Sequence, residues 1–587
     1  MGVKRVWPGT RVESLAHVIV YRAAAEPIDP SHELRRLVQR TAALPPASCD
    51  RSALTSIFID VAELESAVVD ALFPDRDGLH PVAGGLAAAT AAAARAVLAC
   101  WKGADSRPAV LELSSAFARL DPGNLPPAAE RRVSEGYAYY ALHPETYATA
   151  AQHFAQAVRP TTAAVIGIRT IGSGLAAIVA AALQDRGVSA ASWSVRPHGH
   201  PFDRTLALAE DLAGVLRGQP AGTHFLVVDE GPGISGTSFA SVAEVLEGLR
   251  IAPEHIHLFP SWTPDASALQ SPRAQTAWTR YRTWHAGAAE AGVGVARVRE
   301  GCLDWSGGAW RRHLYPDEAE WPAAMPSHER VKLYHPSERM VYRFAGLGRY
   351  GETRRARAEA LAGAGLGGVP GALVDGYLPL PCEPGRPCTR DDAATDLVER
   401  IAAHVAFLSR AFPAPRAPGV DDVQHMIETN AREADPAIAI PPLAAWGPAI
   451  RDAPAAAIDG RMLPHEWIRT RSGFLKTDAL DHSADHFFPG TQDPAWDLAG
   501  AAAELELSPA AARMLVDRYA QLSGDRAVRS RLPFHELAYA AFSLGYAAFA
   551  AHSLRGSPEA GRFDARRVRF GARLRAALAG RSPVSSQ

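Results

Sequence analysis

The chain has 587 residues, enough to bury large cores without disulfides or metals and, at about 150 residues per domain, enough for several domains. Apolar residues make up 47% and charged residues 21%, which is ordinary for a globular protein and excludes a wholly disordered, collagenous or coiled-coil chain. The 61 basic and 63 acidic side chains give a formal net charge of −2, so we expect neither a general polyanion-binding surface nor a nucleic-acid partner.

The cysteines and the apolar runs indicate a soluble protein of a reducing cytoplasm. The chain has five cysteines: Cys49, Cys100, Cys302, Cys382 and Cys388. None forms a C-x-x-C pair, and an odd, scattered set does not suit a disulfide framework. The N-terminus lacks an uninterrupted apolar core, and the two longest apolar runs are broken by Arg95 and Arg169. We therefore expect no signal peptide and no membrane span.

Residues 1–130 mix short apolar runs, Ala-rich helical stretches and Pro-containing loops, and their fold is not assigned. We expect them to pack on the region that follows. Residues 161–265 alternate apolar strand-like runs, such as HFLVVDE and HIHLFPSW, with helical stretches. This alternation predicts a parallel sheet with helical crossovers.

The most specific motif in this region is an apolar strand that ends in two carboxylates. The strand reaches Asp229 and Glu230, a Gly-rich loop carries residues 235–238, and a helix follows. Backbone N–H groups at a helix N-terminus, together with hydroxyls, can bind a phosphate monoester. The carboxylates at the carboxyl end of the strand can reach a ribose diol, because ligands of open α/β sheets sit at that edge.

This run resembles the signature with which type I phosphoribosyltransferases bind phosphoribosyl pyrophosphate (PRPP). The resemblance assigns Asp229 and Glu230 to the acidic pair that acts in catalysis. It assigns four residues to the 5-phosphate loop: Ser235, Gly236, Thr237 and Ser238. Two departures are a Glu in the second acidic position and the run 231–233, which replaces apolar residues with Gly-Pro-Gly. A capped strand-turn-helix without a ligand is the alternative.

Three arginines are candidates for the cations that would hold the pyrophosphate. Arg169 lies in an upstream strand-loop-helix where the resembled family binds pyrophosphate, and Arg196 and Arg204 lie in a loop matching a mobile basic loop. The aromatic run 136–147 is a candidate hood over the acceptor, with core or interface packing as its alternative. The resemblance implies PRPP as substrate, Mg²⁺ as cofactor and a small-molecule acceptor, with loss of pyrophosphate.

The pattern of predicted secondary structure changes near Pro326. A hairpin over RVKLYH and MVYRFAGL is followed by a charged helix, and the rest of the chain is mainly helical. Residues 327–587 resemble the aminoglycoside-phosphotransferase branch of the protein-kinase fold. On that resemblance, Arg343 is the cation that contacts ATP and Glu359 is its ion-pair partner. The run 490–499 resembles the family's G-D-P-x-x-D-L-A helix start, where Asp493 and Asp497 are structural.

The catalytic segment of this half departs from the resembled pattern. Arg461 occupies the position of the catalytic base, and a guanidinium cannot accept a proton. Glu466 replaces a metal-binding Asn, and with Asp478 it can still hold Mg²⁺. Asp459 is a substitute base that lies two residues out of register. An altered active kinase, a nucleotide-binding pseudokinase and a purely structural or substrate-binding lobe all stay open.

The predicted protein is thus α/β and cytoplasmic, with a parallel-sheet phosphoribosyltransferase-like domain (131–326), preceded by residues 1–130, and a mainly helical α+β kinase-like domain (327–587). The predicted activity is PRPP-dependent phosphoribosyl transfer, with a second half that phosphorylates a related small molecule or binds a nucleotide such as ATP. The alternatives are a non-catalytic PRPP or nucleotide sensor, and a small-molecule kinase whose substrate the first half binds. The sequence predicts no oligomeric state.

Overall fold

A computed structural model describes residues 17–579 apart from 23–24, 46–49, 201, 234, 295–300, 416 and 444–445. Cys49 and parts of two motifs above, at positions 201 and 234, therefore lie outside the described residues. Of the described cysteines, Cys382 and Cys388 are free thiols, whereas Cys100 is disulfide-bonded. The cysteines are thus not all reduced, in contrast to the sequence expectation.

The N-terminal region is a set of helices with one small antiparallel ribbon. Its helices are α1 (Pro30–Ala42), α2 (Arg51–Leu72), α3 (Pro81–Trp101) and α4 (Arg107–Ala118), and its strands are β1 (Ala25–Ile28) and β2 (Ala129–Arg132). Helix α1 begins at Asp29, whose carboxylate accepts the backbone N–H groups of residues 31 and 32. Helix α2 is buried along nearly its whole length, so this region is built around it.

Helix α3 is long and apolar enough to cross a membrane by length and composition alone. In this structure it packs against α2 and α4, and Arg95 on its surface pairs with Glu112 of α4. Its apolar face belongs to a core shared with the region that follows. Such a length and composition also suit the core helix of a globular protein.

The predicted parallel sheet is confirmed. The helices of this region are α5 (Glu135–Ala138), α6 (Pro144–Val158), α7 (Ile171–Gln184), α8 (Glu210–Arg217), α9 (Thr237–Gly248) and α10 (Pro272–Arg280). The strands are β3 (Thr162–Ile168), β4 (Ser189–Val195), β5 (His224–Val228), β6 (Ile256–Phe259) and β7 (Arg282–Thr283). They form one parallel sheet in the order β4-β3-β5-β6-β7. The strand order reverses between β3 and β5, which is where open α/β sheets bind ligands.

The C-terminal half joins a small antiparallel sheet to a helical body. Its helices are α11 (Arg311–Leu314), α12 (Arg349–Gly363), α13 (Thr395–Ala411), α14 (Val420–Ala434), α15 (Gly447–Arg451), α16 (Ala495–Glu504), α17 (Pro509–Ser523), α18 (Val528–Ser553) and α19 (Pro558–Ala579). Its strands are β8 (Leu303–Asp304), β9 (Lys332–His335), β10 (Met340–Phe344), β11 (Tyr377–Pro381), β12 (Arg386–Pro387), β13 (Trp467–Thr470) and β14 (Gly473–Lys476). Strands β8 to β11 form one sheet and β12 to β14 a second. The predicted hairpin and charged helix are β9–β10 and α12.

Helix α2 ties both halves together through buried carboxylates. Arg349, at the start of α12, donates to Asp60 at 2.6 Å and lies 2.5 Å from Glu63. Farther along the same helix, Asp70 pairs with Arg169 and Arg196 of the parallel-sheet region. Because these ion pairs are largely buried, α2 fixes cations of both halves.

Candidate functional site

The crevice where the sheet order reverses holds the predicted acidic pair. Asp229 and Glu230 directly follow β5, and a Cβ at Gly172, the start of α7, would lie 2.7 Å from the Val228 carbonyl. The two segments thus touch, and glycine is what allows it. Burial raises the pKa of Asp229 to about 7, although Arg196 and Arg204 favour its charged form. A carboxyl group near its midpoint at neutral pH suits proton transfer or ligand binding.

Glu230 is engaged by a neighbouring segment. One carboxylate oxygen accepts the backbone N–H of Gly136 at 2.8 Å, and its carbonyl accepts the Ser261 hydroxyl. Tyr147 donates its hydroxyl to the Asp229 carbonyl oxygen at 2.6 Å. The acidic pair is therefore held on a rigid support.

The predicted phosphate loop leads into α9, as the strand-loop-helix pattern predicts. Gly236 precedes the helix with φ +68°, in the left-handed region that favours glycine. The Ser235 and Thr237 hydroxyl oxygens lie 3.2 Å apart beside it. Thr237 is fully buried and Ser238 half-buried. The first N–H groups of α9 thus stand next to two hydroxyls, a combination suited to an oxyanion.

Two of the three predicted phosphate cations are already neutralised, which corrects the view of them as open anion ligands. The side chain of Arg169 is fully buried, with Nε 2.7 Å from an Asp70 oxygen and a terminal nitrogen 2.5 Å from an Asp77 oxygen. Arg196 forms a bidentate ion pair with Asp70, with nitrogen–oxygen distances of 2.5 and 3.0 Å. The sequence could not show this, because both aspartates lie in the unassigned N-terminal region.

Arg204 differs from these two. It donates to the Pro197 carbonyl at 3.2 Å and has no ion pair within the described residues. Burial and the charge of Arg132 lower its pKa, while Asp229 raises it. Arg204 therefore remains beside the acidic pair as a cation that an anionic ligand can use.

The aromatic run 136–147 packs against the C-terminal half, and such interface packing was the alternative to a hood. The guanidinium carbon of Arg330 lies 4.5 Å from the centre of the Tyr139 ring. The Tyr139 hydroxyl donates to the Ala484 carbonyl at 2.7 Å. The Tyr140 hydroxyl lies 3.3 Å from His486 Nε2. This segment joins the crevice at Glu230 to the loop that follows Asp478.

The C-terminal half contains a cavity of about 850 Å³ between its two sheets and its helical body. Lys332 of β9 and Arg343 of β10 line it from one side, and Asp478, just after β14, lines it from the other. Arg343 lies 2.6 Å from Asp478 and 2.6 Å from Asp481, and Lys332 Nζ is 3.6 Å from Asp478. Although burial opposes it, Arg343 and Lys332 hold the pKa of Asp478 well below its usual range.

The predicted ion pair between Arg343 and Glu359 is wrong. Glu359 lies on the exposed face of α12, where it pairs with Arg355 one turn away. The buried face of α12 presents Arg354 and Arg357 instead. Arg343 therefore takes its carboxylate partners from the loop after β14.

Asp459 is a buried residue that organises the segment around Arg461. Its side chain is fully enclosed, 3.0 Å from His404 Nε2 and 3.2 Å from Lys476 Nζ. Asp497 accepts the backbone N–H groups of Asp459 and Gly460 at 2.9 and 2.8 Å. Because both oxygens of Asp459 contact basic groups within the protein, it is unsuited to accept a proton from a substrate.

Glu466, Asp478 and His482 form a candidate metal site. A carboxylate oxygen of each acid and a ring nitrogen of His482 all lie within 4.8 Å of one another. Two carboxylates and an imidazole fit a divalent cation; the carboxylates suit Mg²⁺ and the imidazole suits borderline metals such as Mn²⁺ or Zn²⁺. Lys476 Nζ lies 2.8 Å from Glu466 and Arg343 lies 2.6 Å from Asp478. A metal would therefore share both carboxylates with resident cations.

Sequence reasoning missed Lys476 and Arg354. Lys476 is the last residue of β14 and lies two residues before Asp478. Nothing in the sequence shows that its ammonium group donates to Glu466. His482 lies four residues after Asp478, and its Nε2 lies 3.7 Å from an Asp478 carboxylate oxygen.

Neither a protein-family model nor a curated protein matches this chain. Solved structures that resemble part of it are kinases of choline and ethanolamine. A choline/ethanolamine kinase family protein from Mesorhizobium loti is 15% identical over 43% of this chain and 88% of its own, with a TM-score of 0.31. The choline kinase LicA from Streptococcus pneumoniae is 13% identical over 42% and 89%, with a TM-score of 0.29. The Cryptosporidium parvum choline kinase is 9% identical over 43% and 87%, with a TM-score of 0.30. At such values the likeness carries no argument about activity.

Proposed function

We propose that the cavity of the C-terminal half binds a nucleoside triphosphate and transfers its terminal phosphoryl group to a small acceptor. The observation that supports this is the meeting of Lys332 and Arg343 from one sheet with Asp478 and Glu466 beside the other, in a cavity of about 850 Å³. Cations opposite a carboxylate pair suit a metal-bound polyphosphate. The volume is in the range of small-molecule sites.

In the proposed step, the acceptor oxygen bonds to the terminal phosphorus while the bond from that phosphorus to the bridging oxygen breaks. The electron pair leaves with the nucleoside diphosphate. The acceptor proton passes to water, because Arg461 cannot accept it. The transition state of phosphoryl transfer is loose, so positioning and charge by Lys332 and Arg343 matter more than a general base. A divalent metal held by Glu466, Asp478 and His482 would supply further positive charge to the phosphates.

The test measures nucleotide binding and turnover separately. Calorimetry with ATP and either Mg²⁺ or Mn²⁺ gives the affinity, and ADP release with a panel of small alcohols gives the transfer rate. Asp478→Asn is expected to remove transfer, whereas Asp517→Asn, on an exposed helix surface, leaves it unchanged. ATP binding without transfer in the unmodified protein would support the pseudokinase alternative. No binding would refute the proposal.

A second candidate is PRPP binding in the switch-point crevice. It is favoured by Asp229 and Glu230 standing at the carboxyl end of β5, beside the start of α9 and Arg204. PRPP affinity, measured by calorimetry, is expected to be lost in Asp229→Ala with Glu230→Ala, and unchanged affinity would refute it. Pyrophosphate release with a panel of bases would separate phosphoribosyl transfer from a sensor. ATP consumption that survives Asp229→Ala but not Asp478→Asn would place the main activity in the kinase-like half.

A further inference from the structure

The cavity wall formed by the C-terminal helix presents three arginines. Helix α19 directs Arg562, Arg566 and Arg569 toward the cavity, at spacings of four and three residues that share one helix face. Arg566 and Arg569 share one carboxylate, Glu504, at 2.6 and 2.7 Å. Glu504 is fully buried, and although burial opposes it, the two arginines lower its pKa to about 2.

The same sharing recurs one turn earlier. Glu559 pairs with Arg562 at 2.7 Å and with Arg311 at 2.8 Å. Arg311 belongs to the connection between β8 and β9, which this contact fastens to α19. Arg311 does not line the cavity, and two of the three arginines that do have further carboxylates: Arg562 lies 3.4 Å from Glu318 and Arg569 lies 3.3 Å from Glu506. Among the described residues, Arg566 therefore has one carboxylate partner, Glu504, and it shares that partner with Arg569.

Arg461 stands between this wall and the metal-ligand carboxylates. Its guanidinium carbon is 5.3 Å from the Phe487 ring centre and 6.0 Å from the Tyr546 ring centre. Within the described part of the chain its side chain has no hydrogen bond or ion pair, although it lines the cavity. A guanidinium that packs near aromatic rings without a hydrogen-bond partner leaves its N–H groups available, and their geometry matches two oxygens of a phosphate or carboxylate.

We propose that Arg461 and the α19 arginines bind an oxyanion of the acceptor, so that the acceptor is a phosphorylated or carboxylated small molecule with a separate hydroxyl. This rests on the phosphoryl-transfer function proposed above. Arg461, which occupies the position of a proton acceptor by resemblance, thus serves as a specificity residue. Tyr546 lies close to both Arg461 and Arg566 and connects the two parts of the site.

The test uses the full chain saturated with a non-hydrolysable ATP analogue. Inorganic phosphate and two matched pairs, glycerol with glycerol 3-phosphate and glycerol with glycerate, are titrated by calorimetry. We expect each anion to bind at least tenfold more tightly than glycerol. Arg461→Gln should weaken anion binding at least tenfold, with affinity for the ATP analogue within twofold. Arg461→Lys should restore part of it, and Arg529→Gln, on an exposed surface, should change nothing.

Arg566→Gln provides a second variant, since Glu504 keeps Arg569 as its partner, and thermal unfolding checks that each variant folds. Equal binding of glycerol and its phosphate, or anion affinity that neither variant alters, would overturn the inference. So would loss of affinity for the ATP analogue alone in Arg461→Gln, because that would assign the arginine to the donor phosphates. If the unmodified protein fails to bind the ATP analogue, the phosphoryl-transfer proposal fails, and phosphate titration of the free protein still decides whether this wall binds anions.

Discussion

Replacing Arg169 with methionine separates a structural role from a phosphate-binding one. The guanidinium is fully buried, 2.7 Å from Asp70 and 2.5 Å from Asp77, and it donates to the Ser194 carbonyl at 3.2 Å. Methionine fills similar space but leaves Asp77, which is 2% exposed, without its cation. Breaking a buried ion pair from one side costs about 3–5 kcal/mol, so we expect the free energy of unfolding to fall by that amount.

Burial already raises the pKa of Asp77 despite Arg169. Without the arginine this pKa rises further, so the variant should lose most stability as the pH rises and the carboxylate is forced to ionise. Unfolding in urea, followed by circular dichroism at pH 6 and 8, measures this. Adding Asp77→Asn should cost less than the sum of the single changes, by about 0.5–3 kcal/mol. Exposed Arg217→Met should shift stability by no more than about 0.5 kcal/mol. Unchanged stability together with lost PRPP affinity in Arg169→Met would refute the structural role.

Three further changes test the packing described above. Burial raises the pKa of Glu65 from 4.5 to about 7, so ionisation of this carboxyl group lowers the stability of the fold as the pH rises through that interval. Glu65→Gln should therefore raise the free energy of unfolding by up to about 3 kcal/mol at pH 8 and by little at pH 5. An equal gain at both pH values would contradict this. Gly172→Ala would place a Cβ 2.7 Å from the Val228 carbonyl oxygen and should lower the free energy of unfolding, measured by thermal unfolding, by about 1–3 kcal/mol. Gly214→Ala is the control: it lies within α8 with open space around it and should raise the free energy of unfolding by about 0.5–1 kcal/mol. Asp497→Ala leaves the backbone N–H groups of Asp459 and Gly460 without their acceptor. It should lower the free energy of unfolding by about 2–5 kcal/mol and also reduce ADP release. Normal turnover would show that the segment keeps its shape without the Asp497 carboxylate.

Local pattern was enough to predict the parallel sheet and the position of the acidic pair. Apolar runs that alternate with helical stretches leave few arrangements open, because successive parallel strands need crossover helices. A carboxylate directly after such a strand must then lie at the carboxyl edge of the sheet, as Asp229 does. The hairpin β9–β10 and the helix α12 were predictable for the same reason.

The partners of the charged residues were not predictable. Arg343 was expected to pair with Glu359 of the following helix, but the rotation of α12 about its axis turns Glu359 to solvent and Arg354 inward. Arg169 was expected to face a ligand, but Asp70 and Asp77 approach it from about 90 residues upstream. A spacing in sequence fixes which strand end a residue occupies, and it does not fix what the rest of the chain brings there.

The sequence by itself determined the strand and helix pattern and the acidic pair at Asp229 and Glu230, whereas a resemblance alone assigned Arg461 to the position of a proton acceptor. Only the tertiary structure decided that helix α2 neutralises cations of both halves, and that the α19 arginines and Arg461 meet in one cavity. The physical reason is range. Backbone periodicity is set by neighbours a few residues apart, whereas the free energy of a buried charge depends on every group that displaces water from it, however distant in the chain.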